Sequence, residues 1–423
     1  MGEVSDLGQK IAMDRLDQVL WKLQRHAFHH AVIGVVAYLE GGVEAEQLRE
    51  WHHRLVTDCP RLACRVGGSD RNPVWEHDPH FAVERQMSRI SLPPDADSSQ
   101  LLRLVHHLLY APFALETPPW HGYLIEDAGG RTVYFLKISH ALADGLRVVD
   151  LLRRRRPPVD GECMAPAKRD LSARAHGLRR APMWYRLVAD LSAAGRHRQL
   201  PNISAAREFE FFTVPLIKIK QAAKAAGQVS VNDVFLCGVA RGLARYREEY
   251  EEETPRQLTV MSLVGRFRIP TRHTGNAINF ASVRLPTPHA DVKTALQETR
   301  KAIVSAGGTR PVDVAGLAAA LSPHVPSGLI ARGLKYAARR HDVMVTNVPA
   351  GQAPFSIADS RVTTVFGIPP LMGTGMITAM VTYQGTCHFT VHMDPAAISH
   401  PQGLCQCIRA ALDDVVDIAQ PHQ

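Results

Sequence analysis

The sequence predicts a mixed α/β protein of two halves joined by a basic linker, and three observations carry that expectation. The chain has 423 residues, more than one simple core accommodates and enough for two joined halves. Strand-like and helix-like apolar patterns alternate up to about residue 152 and resume from Glu208. Between them the composition breaks: Arg153 to Arg156, Pro157-Pro158 and a polar stretch to Asp170 read as linker. The expected division is an N-terminal half over 1–152, a linker over 153–200 and a C-terminal half over 201–423.

The elements follow in order. A helix is expected over Met13 to Leu23 and a strand over Ala31 to Tyr38. The next helix lies within GGVEAEQLREWHHRLVTDCPRL, where Val43, Leu48 and Leu55 fall at roughly helical spacing. After the turn signal Ala128-Gly129-Gly130 comes a strand over Thr132 to Ile138. A helix then begins near Asp144-Gly145 and carries Leu146, Val149 and Leu152. Within the linker, the basic stretch Leu171 to Arg198 contains Met183, Trp184, Tyr185 and Leu187. It reads as a solvated connecting helix in preference to a membrane-surface one. In the C-terminal half a helix is expected over Val234 to Tyr246, with Asn232-Asp233 as its N-cap. A hairpin closes the pattern: Met376 to Thr382, Gln384-Gly385, then Cys387 to His392.

Composition excludes several classes. Apolar residues make up 45% and charged residues 21%, ordinary for a globular protein. No run approaches the 18 or so apolar residues that a membrane-spanning helix needs, and the N-terminal stretch lacks the apolar core of a secretory signal. The net charge of +8 favours an anionic partner: a phosphorylated cofactor, an acidic carrier protein or a membrane surface. Zinc-finger and ribonucleoprotein motifs are absent, so nucleic acid is not expected. The seven cysteines form no C-x-x-C pair, and their odd number suits reduced thiols and a cytoplasmic location. No metal-ligand spacing occurs.

The chemistry concentrates in Phe135-Leu136-Lys137-Ile138-Ser139-His140-Ala141-Leu142-Ala143-Asp144-Gly145. A strand delivers His140 to its end, and small residues then turn the chain through Asp144-Gly145 into a helix. A rigid scaffold presents reactive side chains at such strand ends. Imidazole, with a pKa near 6.5, accepts a proton at neutral pH, which suits a general base. Asp144 is read first as the residue that holds the turn, and second as a direct participant. The pairs His29-His30, His52-His53 and His106-His107 lack an Asp at the matching offset and are read as surface or core residues.

On these residues the sequence resembles the chloramphenicol-acetyltransferase-like enzymes marked by His-His-x-x-x-Asp-Gly. Within them it is most similar to bacterial wax ester synthase/diacylglycerol acyltransferases. Pro118-Pro119-Trp120 stands at that family's Pro-Leu-Trp, Asn232-Asp233 at its Asn-Asp, and Gly275-Asn276 with Leu285-Pro286 at its Gly-Asn…Leu-Pro. Thr346-Asn347-Val348-Pro349 resembles its Ser-Asn-Val-Pro, and Gly375-Met376…Tyr383-Gln384-Gly385…Asp394 its closing hairpin. The resemblance implies two such halves with mixed sheets around a central active-site tunnel. It implies an acyltransferase with His140 as base, and Arg266 as the partner of Asp144. Asn232, Asp233, Asn276, Trp120 and Ser139 are implied to support the site or bind substrate. The chain departs from the family in three places: Ser139 replaces the first histidine, the arginine-rich linker is short, and Pro-Leu-Trp-Glu reads Pro-Pro-Trp-His.

The reaction so implied carries an acyl group from a thioester, on coenzyme A or on a phosphopantetheinyl carrier protein, to a hydroxyl or amine. The oxyanion would be met by backbone N–H groups near Gly145 or by Asn or Ser side chains. No Gly-x-Ser-x-Gly elbow is present, so no acyl-enzyme is expected, and no bound cofactor is implied. Arg153 to Arg156 are candidates to meet the donor's phosphates or an acidic carrier helix. A free-standing condensation enzyme with a carrier-bound donor is the alternative, and a non-catalytic binding member a third reading.

Overall fold

The computed structural model describes residues 10–24, 30–93, 96–126, 131–153, 206–227, 229–252, 257–263, 280–286, 291–308 and 325–419. Before the linker run β1 (Lys10–Ala12), α1 (Arg15–Gln24), β2 (Val32–Leu39), α2 (Ala45–Asp58), β3 (Cys64–Gly68), β4 (Pro73–His77), β5 (Met87–Ser91), α3 (Ser98–Tyr110), β6 (Trp120–Glu126), β7 (Thr132–Ser139) and α4 (Gly145–Arg153). After it come β8 (Glu208–Pro215), α5 (Leu216–Ala225), α6 (Val231–Tyr250), β9 (Gln257–Leu263), β10 (Phe280–Pro286), α7 (Val292–Gly308) and α8 (Ser327–Ala338). The chain then forms β11 (Val343–Gly351), β12 (Ser356–Ile357), β13 (Ser360–Ile368), β14 (Met376–Tyr383), β15 (Thr386–Met393) and α9 (Pro401–Asp417).

β2 and β7 are almost continuously apolar because both faces of their sheet are covered. Ile33, Val35, Leu136 and Ile138 pack one face against Leu16, Leu20, Trp51, Leu55 and Leu152 of α1, α2 and α4. Val32, Val36 and Phe135 pack the other against Leu101, Val105 and Leu109 of α3. At the end of α3, Lys137 and His30 donate to the carbonyls of Ala111 and Leu109. Cationic or N–H donors suit the carbonyl-rich end of a helix. Burial pushes the Lys137 ammonium down to about 8.

The order in this sheet is β12-β13-β2-β7-β6-β5. β13 runs antiparallel to β2, with Phe366 opposite Val36. Both β12 and β13 lie more than 200 residues after β7, so the sheet that carries His140 is completed by strands from late in the chain. The second sheet has the order β10-β9-β11-β14-β15-β8 and is backed by α5, α6 and α9 through one large apolar cluster. α6 and α9 approach closely at two glycines. A Cβ added to Gly242 would stand 2.4 Å from the Ile408 Cα, and one added to Gly238 would stand 2.3 Å from Leu412 Cδ2. A small third sheet is ordered β1-β4-β3.

The two large sheets meet along a seam of buried polar groups. His392 on β15 donates through Nδ1 to the Pro369 carbonyl at 2.7 Å and accepts from the Tyr110 hydroxyl of α3 at 2.8 Å. Nearby, Arg207 pairs with Asp394 at 3.1 Å, both almost fully buried.

Among the described residues the expected elements appear with ends shifted by at most four residues, and the hairpin turns at Gln384 and Gly385, both with positive φ. Helix α6 is capped differently from the expectation. Ser230 is the N-cap, accepting from Asp233 N at 3.2 Å, while the Asp233 carboxylate returns the bond to Ser230 N at 2.6 Å. Asp233 thus sits three residues inside the cap, closing a capping box. Cys64, Cys237, Cys387, Cys405 and Cys407 are free thiols, but Cys59 is disulfide-bonded. That corrects the expectation of seven reduced thiols, because spacing along a chain does not report proximity in space. Cys163, the turn Ala128-Gly129-Gly130, and residues 154–205, which hold all of the expected linker except Arg153, lie outside the described residues. Among the described residues no helix is long and apolar enough to cross a membrane.

Candidate active site

The site is built on the end of β7. Two carbonyls hold the backbone there: Ser139 N donates to Pro119 O at 2.9 Å, and His140 N donates to Ala31 O at 2.8 Å. The residues immediately before strands β6 and β2 therefore grip both sides of the residue pair that begins the turn. Residues 132–139 and 141–142 are buried, whereas His140 is partly exposed. A lone accessible imidazole in a rigid, buried run is the arrangement a proton-transfer residue needs.

The turn closes on itself through Ser139. Its carbonyl accepts from Leu142 N at 2.9 Å and from Ala143 N at 3.4 Å, and its hydroxyl oxygen accepts from Ala141 N at 3.3 Å. Asp144 then starts α4. Its Oδ1 accepts from Arg147 N at 2.9 Å and its carbonyl from Val148 N at 2.8 Å. This is N-cap geometry, and it satisfies one of the donors that a helix start leaves open. Gly145 follows, facing β11: a Cβ placed there would touch Val348 Cγ2 at 3.4 Å. The Thr346-Asn347-Val348-Pro349 segment thus lies across from the His140 turn. Asn347 Oδ1, one residue from that contact, is buried without a hydrogen-bond partner among the described residues.

Other sequence-predicted residues fall elsewhere. Trp120 pairs with Ile138 in the sheet register, but its ring is in the core. The indole N–H donates to Leu62 O at 2.7 Å, and the ring stacks on His52 at 5.7 Å between centroids. Asn232 and Asp233 open α6, where Asp233 also pairs with Arg300 of α7 at 3.5 Å. Arg266 and Asn276 lie outside the described residues, as do Arg154 to Arg156.

Several histidines near the site are structural. His52 donates through Nδ1 to Leu48 O at 2.8 Å and accepts at Nε2 from the Tyr134 hydroxyl at 2.9 Å. Burial pushes its pKa down to about 4, so it is neutral and its tautomer is fixed. His30, adjacent to Ala31, is likewise pushed down to about 4, chiefly by burial. One partner of the turn was not anticipated from sequence. The Ser139 hydroxyl donates to Gln24 Oε1, at the end of α1, at 2.6 Å. A single glutamine 115 residues away leaves no local sequence signal. Among the described residues, no group of three or more His, Cys, Asp or Glu side chains is placed to hold a metal ion.

Comparison with known proteins matches this chain to a family. Residues 13–197 match the model of the wax ester synthase/diacylglycerol acyltransferase catalytic domain, and residues 274–415 match the WS/DGAT C-terminal domain. A putative diacylglycerol O-acyltransferase of Mycobacterium tuberculosis is 24% identical over 396 residues, covering 82% of this chain and 79% of the relative. The solved wax ester synthase/diacylglycerol acyltransferase of Marinobacter aquaeolei VT8 superposes with a TM-score of 0.69 at 18% identity, covering 97% of this chain and 100% of that one. A variant of the starter condensation domain of rhizomide synthetase, in complex with C8-CoA, gives a TM-score of 0.64 at 14% identity, covering 98% and 95%.

Proposed function

The chain belongs to the wax ester synthase/diacylglycerol acyltransferase family and is an acyltransferase; on that premise we propose that His140 is its general base, acting on a hydroxyl acceptor with a long-chain acyl-CoA as donor. The observation that carries the assignment of His140 is its place: a partly exposed imidazole fixed through its own backbone at the end of a buried strand, followed by a helix that Asp144 caps.

In the proposed reaction the acceptor hydroxyl gives its proton to an imidazole nitrogen of His140 as its oxygen attacks the thioester carbonyl. The tetrahedral oxyanion collapses, the C–S bond breaks, and His140 returns the proton to the departing thiolate. No acyl-enzyme forms, and no oxidant or reductant is consumed. A positioned base contributes about 100- to 10,000-fold to such a step. Amide groups at the start of α4 are the candidate donors to the oxyanion, since a helix N-terminus favours negative charge. Asp144 shapes the turn in this scheme and takes no proton.

The relatives in Mycobacterium carry names that specify a diacylglycerol acceptor, and the rhizomide domain was solved with an acyl-CoA. These motivate the choice of substrates. A carrier-protein donor is the second reading, supported by the positive net charge and by the condensation-domain fold.

The test is thiol release from acyl-CoAs of graded chain length, with long-chain alkanol, diacylglycerol and amine acceptors, and products identified by mass spectrometry. Acceptor-dependent release is expected for wild type, with a loss of at least about 100-fold in His140→Ala. Equal activity in His140→Ala would remove His140 from the mechanism. Activity only with an acylated carrier protein would replace the donor.

A further inference from the structure

Position 139 is where this chain lacks the first histidine of the family's pair, and another residue fills the gap. Ser139 is fully buried. Its hydroxyl donates to Gln24 Oε1 at 2.6 Å, and the same oxygen accepts from Ala141 N. The Ser139 carbonyl accepts from Leu142 N and Ala143 N. Three successive amides after His140 are therefore tied to Ser139, and Ser139 in turn is tied to Gln24.

We propose that Gln24 is a positioning residue for His140, acting through Ser139 in place of the missing histidine. The inference rests on the reading of His140 as the base. A serine hydroxyl is too short to span from the strand end to α1 by itself. The glutamine side chain supplies the missing reach, and its carbonyl oxygen is the acceptor. Gln24 is itself held firmly. It is the last residue of α1, whose Leu16, Leu20 and Leu23 are buried. Val19 and Leu23 also pack against Ile330, Ala331 and Leu334 of α8, from beyond the linker. The position of Gln24, and through it the His140 turn, is thus set partly by the packing of one half on the other.

The test compares Gln24→Leu, Ser139→Ala and the double variant in the full chain. A neutral hydrogen bond corresponds to about a 2- to 10-fold effect, and a misplaced catalytic group costs up to about 100-fold. The expected result is a fall in kcat of about 10-fold in each single variant with both KM values unchanged. The double variant should fall no further than the worse single one, because the two residues form one link. Gln24→Glu keeps an acceptor of the same length and should recover most of the loss. Should Gln24→Leu not fold, Gln24→Asn, whose amide is too short to reach, takes its place with the same expectation.

Unchanged kcat in Gln24→Leu, or losses that multiply in the double variant, would overturn the proposal. A second measurement does not depend on turnover: NMR of histidine-labelled protein. The His140 imidazole signals should move in Gln24→Leu while those of His52 stay in place, and an unmoved His140 would refute the link. Absence of acyl transfer in wild type would sink the proposed function, and the NMR result would still decide the role of Gln24.

Discussion

Replacing Gly242 by alanine sets two effects against each other. In a helix interior, alanine is favoured over glycine by about 1 kcal/mol. At this position, however, the new Cβ would lie 2.4 Å from Ile408 Cα, 2.8 Å from Ile408 Cγ1 and 2.9 Å from Ile408 N. Carbon atoms pack best at about 3.5–4.0 Å, so α9 would have to retreat by roughly 1 Å. Two of the three close atoms belong to backbone and cannot rotate away. Ile408 and Leu412, which would be pulled off α6, are both fully buried. Overpacking of this kind costs about 1–3 kcal/mol; with the upper value and the helix gain, the net loss is about 2 kcal/mol. For a half of this size that corresponds to a fall in Tm of roughly 4–8 °C, read by circular dichroism. Gly333→Ala is the matched control. It lies in α8 with nothing within 4 Å of the added Cβ, so the helix term stands alone and stability should rise by up to about 1 kcal/mol. A neutral or stabilising Gly242→Ala would refute the close approach of α6 and α9.

Two other predictions concern the site and its surroundings. Asp144→Ala should lose about 1 kcal/mol of stability, read as a shift in denaturant midpoint, whereas Asp144→Asn keeps the oxygen that accepts from Arg147 N and should lose only a few tenths; equal losses would mean that the charge matters and the cap does not. Stability should also fall in acid. His52 and His392 are buried and neutral, with burial pushing them down to about 4 and about 3, against about 6.5 in the unfolded chain. Because the unfolded state binds the proton first, their contribution is complete above about pH 6.5 and is lost through the folded values, at up to about 1.4 kcal/mol per pH unit for each. A denaturant midpoint constant between pH 6.5 and 4.5 would show that these rings are charged in the fold.

What sequence revealed was local. The β7–turn–α4 unit and the closing hairpin could be read because each is encoded within one continuous stretch, residues 132–153 and 376–393: an apolar run, then Asp-Gly or Gln-Gly at the turn. The capping of α6 was misplaced by a short distance, since Ser230 and Asp233 are both good N-terminal residues and only geometry tells cap from third position. Partner choice was not legible. Nothing in the alternation of Ser360–Ile368 says that it pairs with β2 and not with its neighbours β14 or β11, because pleat periodicity fixes a face and not a partner. The same holds for Gln24, one amide at the end of an amphipathic helix, and for the seam between Tyr110 and His392. The order of family-like segments along the chain carried the function further than any single residue did.

The borrowed strand β13 has a consequence for how the protein is made. During synthesis β2 and β7 leave the ribosome early, yet the edge of β2 stays uncovered until Ile368 has emerged. At about 5–20 residues per second the interval is roughly tens of seconds. Throughout it, an apolar strand with unpaired backbone groups is open to any passing chain. The nascent protein therefore carries His140 on an unfinished sheet until that strand arrives.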